Sequence, residues 1–196
     1  KSASGQSAKG ATTLSPKVFS VGARAGYQDN GDTPNSQFVY HQYEKASLIF
    51  EVRGLPKAKE FQDARWNKSM PEFRGAQVGV IIHCENGYMV IPSYESAKAF
   101  DKNGREIKSW KQGADHYANF VAAVRSRRSS DLNAEILEGH LSSALCHTGN
   151  ISYLLGKKLA PEAMRERLQD SPEAAETFSR LSEHLIANGI NLEAQP

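Results

Sequence analysis

The stretch from Gln77 to Ser93, QVGVIIHCENGYMVIPS, decides the fold. Two apolar runs flank Asn86-Gly87, and Asn-Gly between such runs is a strong short-range signal for a β-hairpin. Strands are therefore expected over Ala76–Glu85 and Tyr88–Ser93. A second hairpin follows, Ala97–Asp101 and Arg105–Trp110, turning at Asn103-Gly104. Upstream, Lys17–Ala23, Gln37–Tyr43 and Ser47–Gly54 read as further strands. From Asp115 the apolar period becomes helical. Ala118, Val121, Ala122 and Val124 line a first helix, and Asn133–Leu155 reads as a long second one. Pro161–Leu168 and Pro172–Ala187 follow, each opening on a proline, which the first turn tolerates. Asn188-Gly189 stops the last helix. Strands first and helices later predict an α+β fold, an open and mostly antiparallel β-sheet with helices packed on one face.

The chain length of 196 residues suits one domain, expected over 16–196. Lys1–Ser15 is rich in Ser, Ala, Gly and Lys and reads as a flexible linker or remnant. Because residue 1 is Lys and not Met, the natural start is expected upstream or removed. Tyr27–Asn35, YQDNGDTPN, is dense in turn formers and must be a loop. Pro56–Gly75 shows no periodicity and reads as a long excursion. The net charge of +2 gives no case for nucleic acid, and the basic run Arg125–Arg128 reads as a solvated helix end. No apolar run approaches a membrane span. Cys84 and Cys146 form no Cys-x-x-Cys and read as small core residues. No two of the 15 glycines are separated by a single residue. The Gly-x-Gly-x-x-Gly of a dinucleotide fold is thus absent, as is a Walker A motif, and no cofactor is expected in this chain.

Strand alternation sorts the sheet faces. Leu48, Phe50 and Val52 share one side with an apolar character; Ile49, Glu51 and Arg53 share the other. Likewise Val78, Val80, Ile82 and Cys84 oppose Gly79, Ile81, His83 and Glu85. The apolar face is expected to take the helices. The mixed face is expected to be solvated, to meet a second copy of the chain or to wall a pocket, and the interleaved Ile49 and Ile81 favour burial against a partner.

The helix over Asn133–Leu155 carries its stripe on Leu137, Leu141, Ala144, Thr148, Ile151 and Leu155, with His140, His147 and Asn150 along one edge. His140 and His147 stand about 10 Å apart along the axis, too far to share one metal ion. Cys146 and His147 diverge by about 100° and make no thiolate–imidazolium pair. Ser142-Ser143 sits mid-helix, not on a nucleophile elbow. The polar edge therefore either bonds nearby backbone or lines a cavity where the helix meets the loops of the sheet.

Six segments in order carry a family resemblance: Gly26–Asn35, Phe50–Pro56, Cys84–Tyr88, His116–Phe120, Ala122–Arg127 and the helix LNAEILEGHLSSALCHTGNISYLLG. Together they resemble the C-terminal domain of the glucose–fructose oxidoreductase/inositol dehydrogenase (Gfo/Idh/MocA) family, in a planctomycete-like form. The resemblance implies that a Rossmann domain, absent from this chain, would hold NAD or NADP, and that this domain completes the substrate site and makes subunit contacts. The family's Glu-Lys-Pro motif is not found here, since Glu44-Lys45 is followed by Ala46. None of the six histidines has Asp four residues before it, so no catalytic residue is assigned.

The expectation is a substrate-binding and oligomerisation domain of an NAD(P)-dependent oxidoreductase acting on a sugar, cyclitol or polyol, inactive alone. In the intact enzyme a hydride would pass to nicotinamide while a base takes the hydroxyl proton. Substrate contacts are expected from Tyr27, Asp29, Asp32 and Asn35 on the loop and from Arg53, which would suit an acidic sugar. His116, Asn119, His147 and Asn150 are the helical candidates. Turn stabilisation, ion pairing and capping are the competing roles for these residues. The alternative function is a non-catalytic dimerising or carbohydrate-binding module. The compartment is open between cytoplasm and export.

Overall fold

Ser36–Gln42 is buried at every position but its last. A strand buried on both sides must lie between two covered faces. The computed structural model describes residues 14–193; the 1–13 part of the expected linker lies outside them. The strands are β1 (Lys17–Ala23), β2 (Ser36–Gln42), β3 (Leu48–Arg53), β4 (Val80–Cys84), β5 (Gly87–Ser93), β6 (Ser96–Asp101) and β7 (Glu106–Lys111). The helices are α1 (His116–Ser126), α2 (Ile136–Leu154), α3 (Pro161–Leu168) and α4 (Pro172–Ala187). The architecture is α+β with every named strand pair antiparallel. The strands form two sheets, β1-β2-β3 and β4-β5-β6-β7, where one open sheet was expected. The chain divides into two compact units, Met70–Glu135 and the residues on either side of that segment.

In the flanking unit, register places Phe19, Tyr40 and Ile49 in one row and Val21, Phe38 and Glu51 in the next. Phe38 and Tyr40 pack with Ala174, Phe178, Leu181 and Leu185 of α4 in one core. These four helix positions recur with helical spacing and form the buried stripe. Each large apolar side chain buried there contributes about 1.5–3 kcal/mol. Phe19 stacks on Tyr40 with centroids 5.0 Å apart. Asn188 ends α4 with its side chain inward, donating from Nδ2 to Pro56 O and His184 O, both at 2.9 Å. Gln62 Nε2 donates to Asn188 Oδ1 at 2.8 Å, which ties the 56–75 excursion to the end of α4. That excursion contains two 3-10 turns, Lys59–Phe61 and Trp66–Lys68.

The sheet faces are used differently from the sequence expectation. The mixed face of β3, expected to meet solvent or a second copy, is covered by α4 of the same chain. Glu51 is accommodated because it lies between two guanidiniums, bonding Arg53 at 2.5 Å and also Arg180 of α4. Paired and hydrogen-bonded charge is the form in which a half-buried carboxylate is tolerated. The opposite face of the same sheet carries α2, so helices lie on both faces and not on one.

Gly149 explains how α2 sits so close. A Cβ there would lie 2.7 Å from Val39 Cγ2 and 2.9 Å from Cγ1. The contact rotates the buried side of α2 away from the expected stripe. Leu141, Ala144, Leu145, Thr148 and Ser152 are half-buried, while Leu137, Ile151 and Leu155 are exposed.

The second unit is a four-stranded meander followed by α1. Cys84 pairs with Gly87, so the first turn is Glu85-Asn86, one residue earlier than expected. Gly87 pairs with Cys84 and Asp101 at the head of β5, and glycine is required there because φ is 154° and a Cβ would meet Phe100 O at 2.0 Å. At the other tip, Asp101 Oδ1 accepts from Asn103 N and Arg105 N, both at 2.9 Å. Asp115 caps α1 by accepting from Ala118 N at 2.9 Å, satisfying an orphan amide of the first turn. Val78, Val80 and Ile82, expected under helices, are exposed, as are both cysteines, expected in cores.

Candidate functional site

The open stretch of the β2–β3 face beside α2 is the place where apolar floor and polar rim come together. Gln37 pairs with Val52 and Val39 with Phe50, so all four point to this side. On α2, Cys146 and Asn150 stand one turn apart and face the same way. Together with Thr33 and Pro34 from the 26–35 loop they line a cleft of about 220 Å³. The floor is apolar, with Phe50 47% exposed. The rim offers an amide, a second amide, a hydroxyl and a thiol, and no charged side chain lines the cleft.

Two of these polar groups are available to a ligand. Gln37 is 5% exposed, and its Nε2 donates to Ser20 Oγ at 2.6 Å. Its Oε1 accepts no hydrogen bond from the described residues. The exposed Asn150 side chain likewise bonds none of them. Both groups reach solvent, since neither is among the fully buried polar atoms that lack a partner, so each is open to water or to a ligand.

Of the nine residues expected to contact substrate, the structure brings only Asn150 into this cleft. Asn35 is structural. Its Nδ2 donates to Ala25 O at 2.8 Å and its Oδ1 accepts from Ala25 N at 3.2 Å, closing the base of the loop. Asp29 pairs with Arg24 and accepts from Gly31 N at 2.9 Å. The Arg24 hydrogen bond, then the Gly31 amide, hold its carboxyl below the usual range. Arg24 also donates to Thr33 O at 2.8 Å, so it shapes the loop that walls the cleft. Tyr27 sits edge-on to Trp66 at 5.6 Å, and Asp32 is exposed on the same loop.

Arg53 lies on the opposite face of β3 from Phe50 and Val52, bonded to Glu51. Burial lowers its pKa from the ordinary value, with Glu51 opposing and Arg180 adding to the shift. It does not reach the cleft, because adjacent strand residues point to opposite sides. His147 is exposed on α2 outside the lining. His116 and Asn119 belong to the other unit. The His116 ring lies 4.2 Å from that of Tyr117. Asn119 clamps the turn after α1, donating to Asp131 O at 2.7 Å and accepting from Asn133 N at 3.0 Å.

Thr33, Gln37, Phe50, Val52 and Cys146 were not foreseen as a group. Gln37 carried no such signal, since it is the second residue of a strand, SQFVYHQ, that mixes polar with apolar side chains. Among the described residues, no three His, Cys, Asp or Glu side chains gather in a way that would hold a metal ion, and no helix is long and apolar enough to cross a membrane. Comparison of the chain with protein-family models, curated proteins and solved structures finds no match.

Proposed function

We propose that this chain is the substrate-binding and oligomerisation domain of an NAD(P)-dependent oxidoreductase acting on a sugar, cyclitol or polyol. One observation carries the reading. Two of the six segments that resemble the Gfo/Idh/MocA C-terminal domain, Phe50–Pro56 and the helix that supplies Cys146 and Asn150, meet at the cleft. The α+β class agrees with the reading, while the strands form two sheets in place of the one open sheet that the resemblance implied. In this reading NAD or NADP is held by a Rossmann domain outside the chain, and the nicotinamide accepts the hydride. The present residues bind and orient the hydroxyl-bearing carbon, and a base on the other domain takes its proton.

Subunit contact is assigned to the second unit. Val78, Val80, Ile82 and Trp110 are exposed at 85%, 53%, 44% and 39%. Strand register puts Val80, Ile82 and Trp110 on one side of the meander. Exposed apolar side chains on both outer strands of the meander, β4 and β7, favour a protein partner over water. Nucleic acid and membrane have no place in this reading.

A second reading is a carbohydrate-binding module with no redox chemistry. It is favoured by the cleft's being built wholly from one unit of this chain. The coding sequence upstream of Lys1 separates the two. The oxidoreductase reading predicts a strand, Gly-x-Gly-x-x-Gly and a helix, then Glu-Lys-Pro. A start codon directly before Lys1 would overturn it and leave the module.

A further inference from the structure

Open backbone valence and exposed apolar side chains coincide on the outer edge of β3. We infer that this edge pairs antiparallel with β3 of a second copy of the chain, in a register centred on Phe50, so that the two three-stranded sheets join into one. The contact is separate from the one assigned to the meander, and it does not rest on the redox reading.

The backbone bonds fix which groups face outward. Gly54 N donates to Asn35 O at 2.7 Å. One guanidinium nitrogen of Arg53 reaches both Val52 O, at 3.2 Å, and Gln37 O, at 3.4 Å. Those two carbonyls come that close together only if both lie between β2 and β3. Val52 and Gln37 are therefore a hydrogen-bonded pair, and so, two residues on, are Phe50 and Val39. The N–H and C=O groups of Ile49 and Glu51 then point away from β2. β3 ends its sheet, and among the described residues no backbone group bonds to these two from outside.

One register satisfies both the backbone and the side chains. With Phe50 opposite Phe50 of the second copy, Ile49 and Glu51 of the two copies form hydrogen-bonded pairs with one another. Leu48 falls opposite Val52 on the same face as Phe50. Leu48 and Phe50 are 40% and 47% exposed, and this pairing covers both. Phe50 occupies the non-hydrogen-bonded position, where facing side chains come closest and an aromatic pair stabilises most. Shifting the centre by one residue toward Arg53 would set Glu51 against Glu51, a like-charge pair, and shifting it the other way would leave Glu51 opposite Ser47, outside the strand.

The edge lacks the usual guards against pairing. Edge strands are ordinarily blunted by Lys, Pro or a bulge. β3 has no Lys or Pro, and its register with β2 runs without a break. Its two charges lie on the α4 face and bond each other, and Glu51 bonds Arg180 as well, so neither repels an incoming strand. The helices leave room. α4 packs against β2 and α2 against β1. In the pair the two β2 strands stand three strand spacings apart, about 14 Å, which exceeds the 8–10 Å or so between touching helices.

Cysteine cross-linking reads the register directly. The chain carrying Cys84→Ser and Cys146→Ser, both at exposed thiols, receives Leu48→Cys, Phe50→Cys or Val52→Cys and is oxidised in air. Opposed non-hydrogen-bonded residues have Cα atoms about 4.5 Å apart, within disulfide reach. Phe50→Cys is expected to form a covalent dimer about tenfold faster than either other single variant, whose thiols stand about 13 Å along the strand from their own copies. Leu48→Cys with Val52→Cys in one chain should restore fast linking. In sedimentation equilibrium Phe50→Lys, at an exposed position, should halve the mass, with its circular dichroism unchanged. Equal rates at all three positions, or fastest linking at Leu48, would overturn the register. A monomeric parent chain, or a mass indifferent to Phe50→Lys, would overturn the pairing. Slow hydrogen exchange at the Ile49 and Glu51 amides of a monomer would give the edge to a segment of the same chain and overturn it as well.

Discussion

Replacing Gly149 by alanine tests how closely α2 is seated on the sheet, and so what sets the width of the cleft. Alanine is the better helix former by about 1 kcal/mol, so at an unconstrained site Gly149→Ala would stabilise. Here the new methyl would meet Val39 Cγ2 at 2.7 Å and Cγ1 at 2.9 Å. Carbon atoms in contact prefer about 3.5–4.0 Å, leaving a shortfall of roughly 0.8 Å. Val39 is 3% exposed and branched at Cβ, so it has little room to turn aside. Overpacking of this kind costs about 1–3 kcal/mol. Set against the gain in propensity, the expected net loss is about 1 kcal/mol, read as a lower urea midpoint at unchanged slope. In a Val39→Ala background the two closest carbons are gone and only Cβ remains, at 3.3 Å, so the same substitution should cost little or stabilise. The double-mutant cycle should return a coupling of about 1–2 kcal/mol. A higher midpoint for Gly149→Ala in both backgrounds would refute the close seating of α2.

Three further outcomes are expected. Glu51→Ala leaves Arg53 and Arg180 without their shared carboxylate. Breaking a fully buried pair costs about 3–5 kcal/mol, and at this half-buried site a loss of about 2–3 kcal/mol is expected in urea unfolding; no loss would mean that the network contributes nothing. Burial, and secondarily Arg53, push the pKa of His184 down from 6.5 to about 4. The unfolded chain therefore binds a proton that the folded chain refuses, so stability is full above about pH 6.5 and falls as the pH drops toward 4. The loss is about 2 kcal/mol after allowing for solvent screening, and urea midpoints across this range should lose that slope in His184→Leu. Asn35→Ala strips two hydrogen bonds from Ala25 and should cost about 2 kcal/mol, whereas a thermal transition unmoved by it would deny Asn35 its place at the base of the loop.

The ladder of elements was legible because its signals are local. Period, turn residues and prolines placed the hairpins and the starts of α3 and α4. The number of sheets was not legible, because alternation along a strand does not say which strand lies beside it. That α4 covers the mixed face of β3 was not legible for a similar reason. Glu51 and Arg53 looked like solvated charge, and their compensating partner, Arg180, is 129 residues away from Glu51. Polar residues of the 26–35 loop were rightly seen as turn formers, and Asn35 proves to be spent on that task. Asn150, which lines the cleft, was singled out because it broke the pattern of an apolar helix. Gln37 was missed because one residue inside a strand says nothing of the helix that will cross it. Arg53 lies away from the cleft, bonded to Glu51, on a face whose cover could not be known before α4 was placed.

The most direct test of the central claim is nicotinamide reduction by the full-length gene product, followed by absorbance of the reduced cofactor with neutral polyols as substrates. The account predicts turnover with at least one such polyol, a raised KM with little change in kcat for Asn150→Ala, and no turnover by the chain from Lys1 to Pro196 alone. Absence of reduction with every neutral polyol, or turnover indifferent to Asn150, would contradict it.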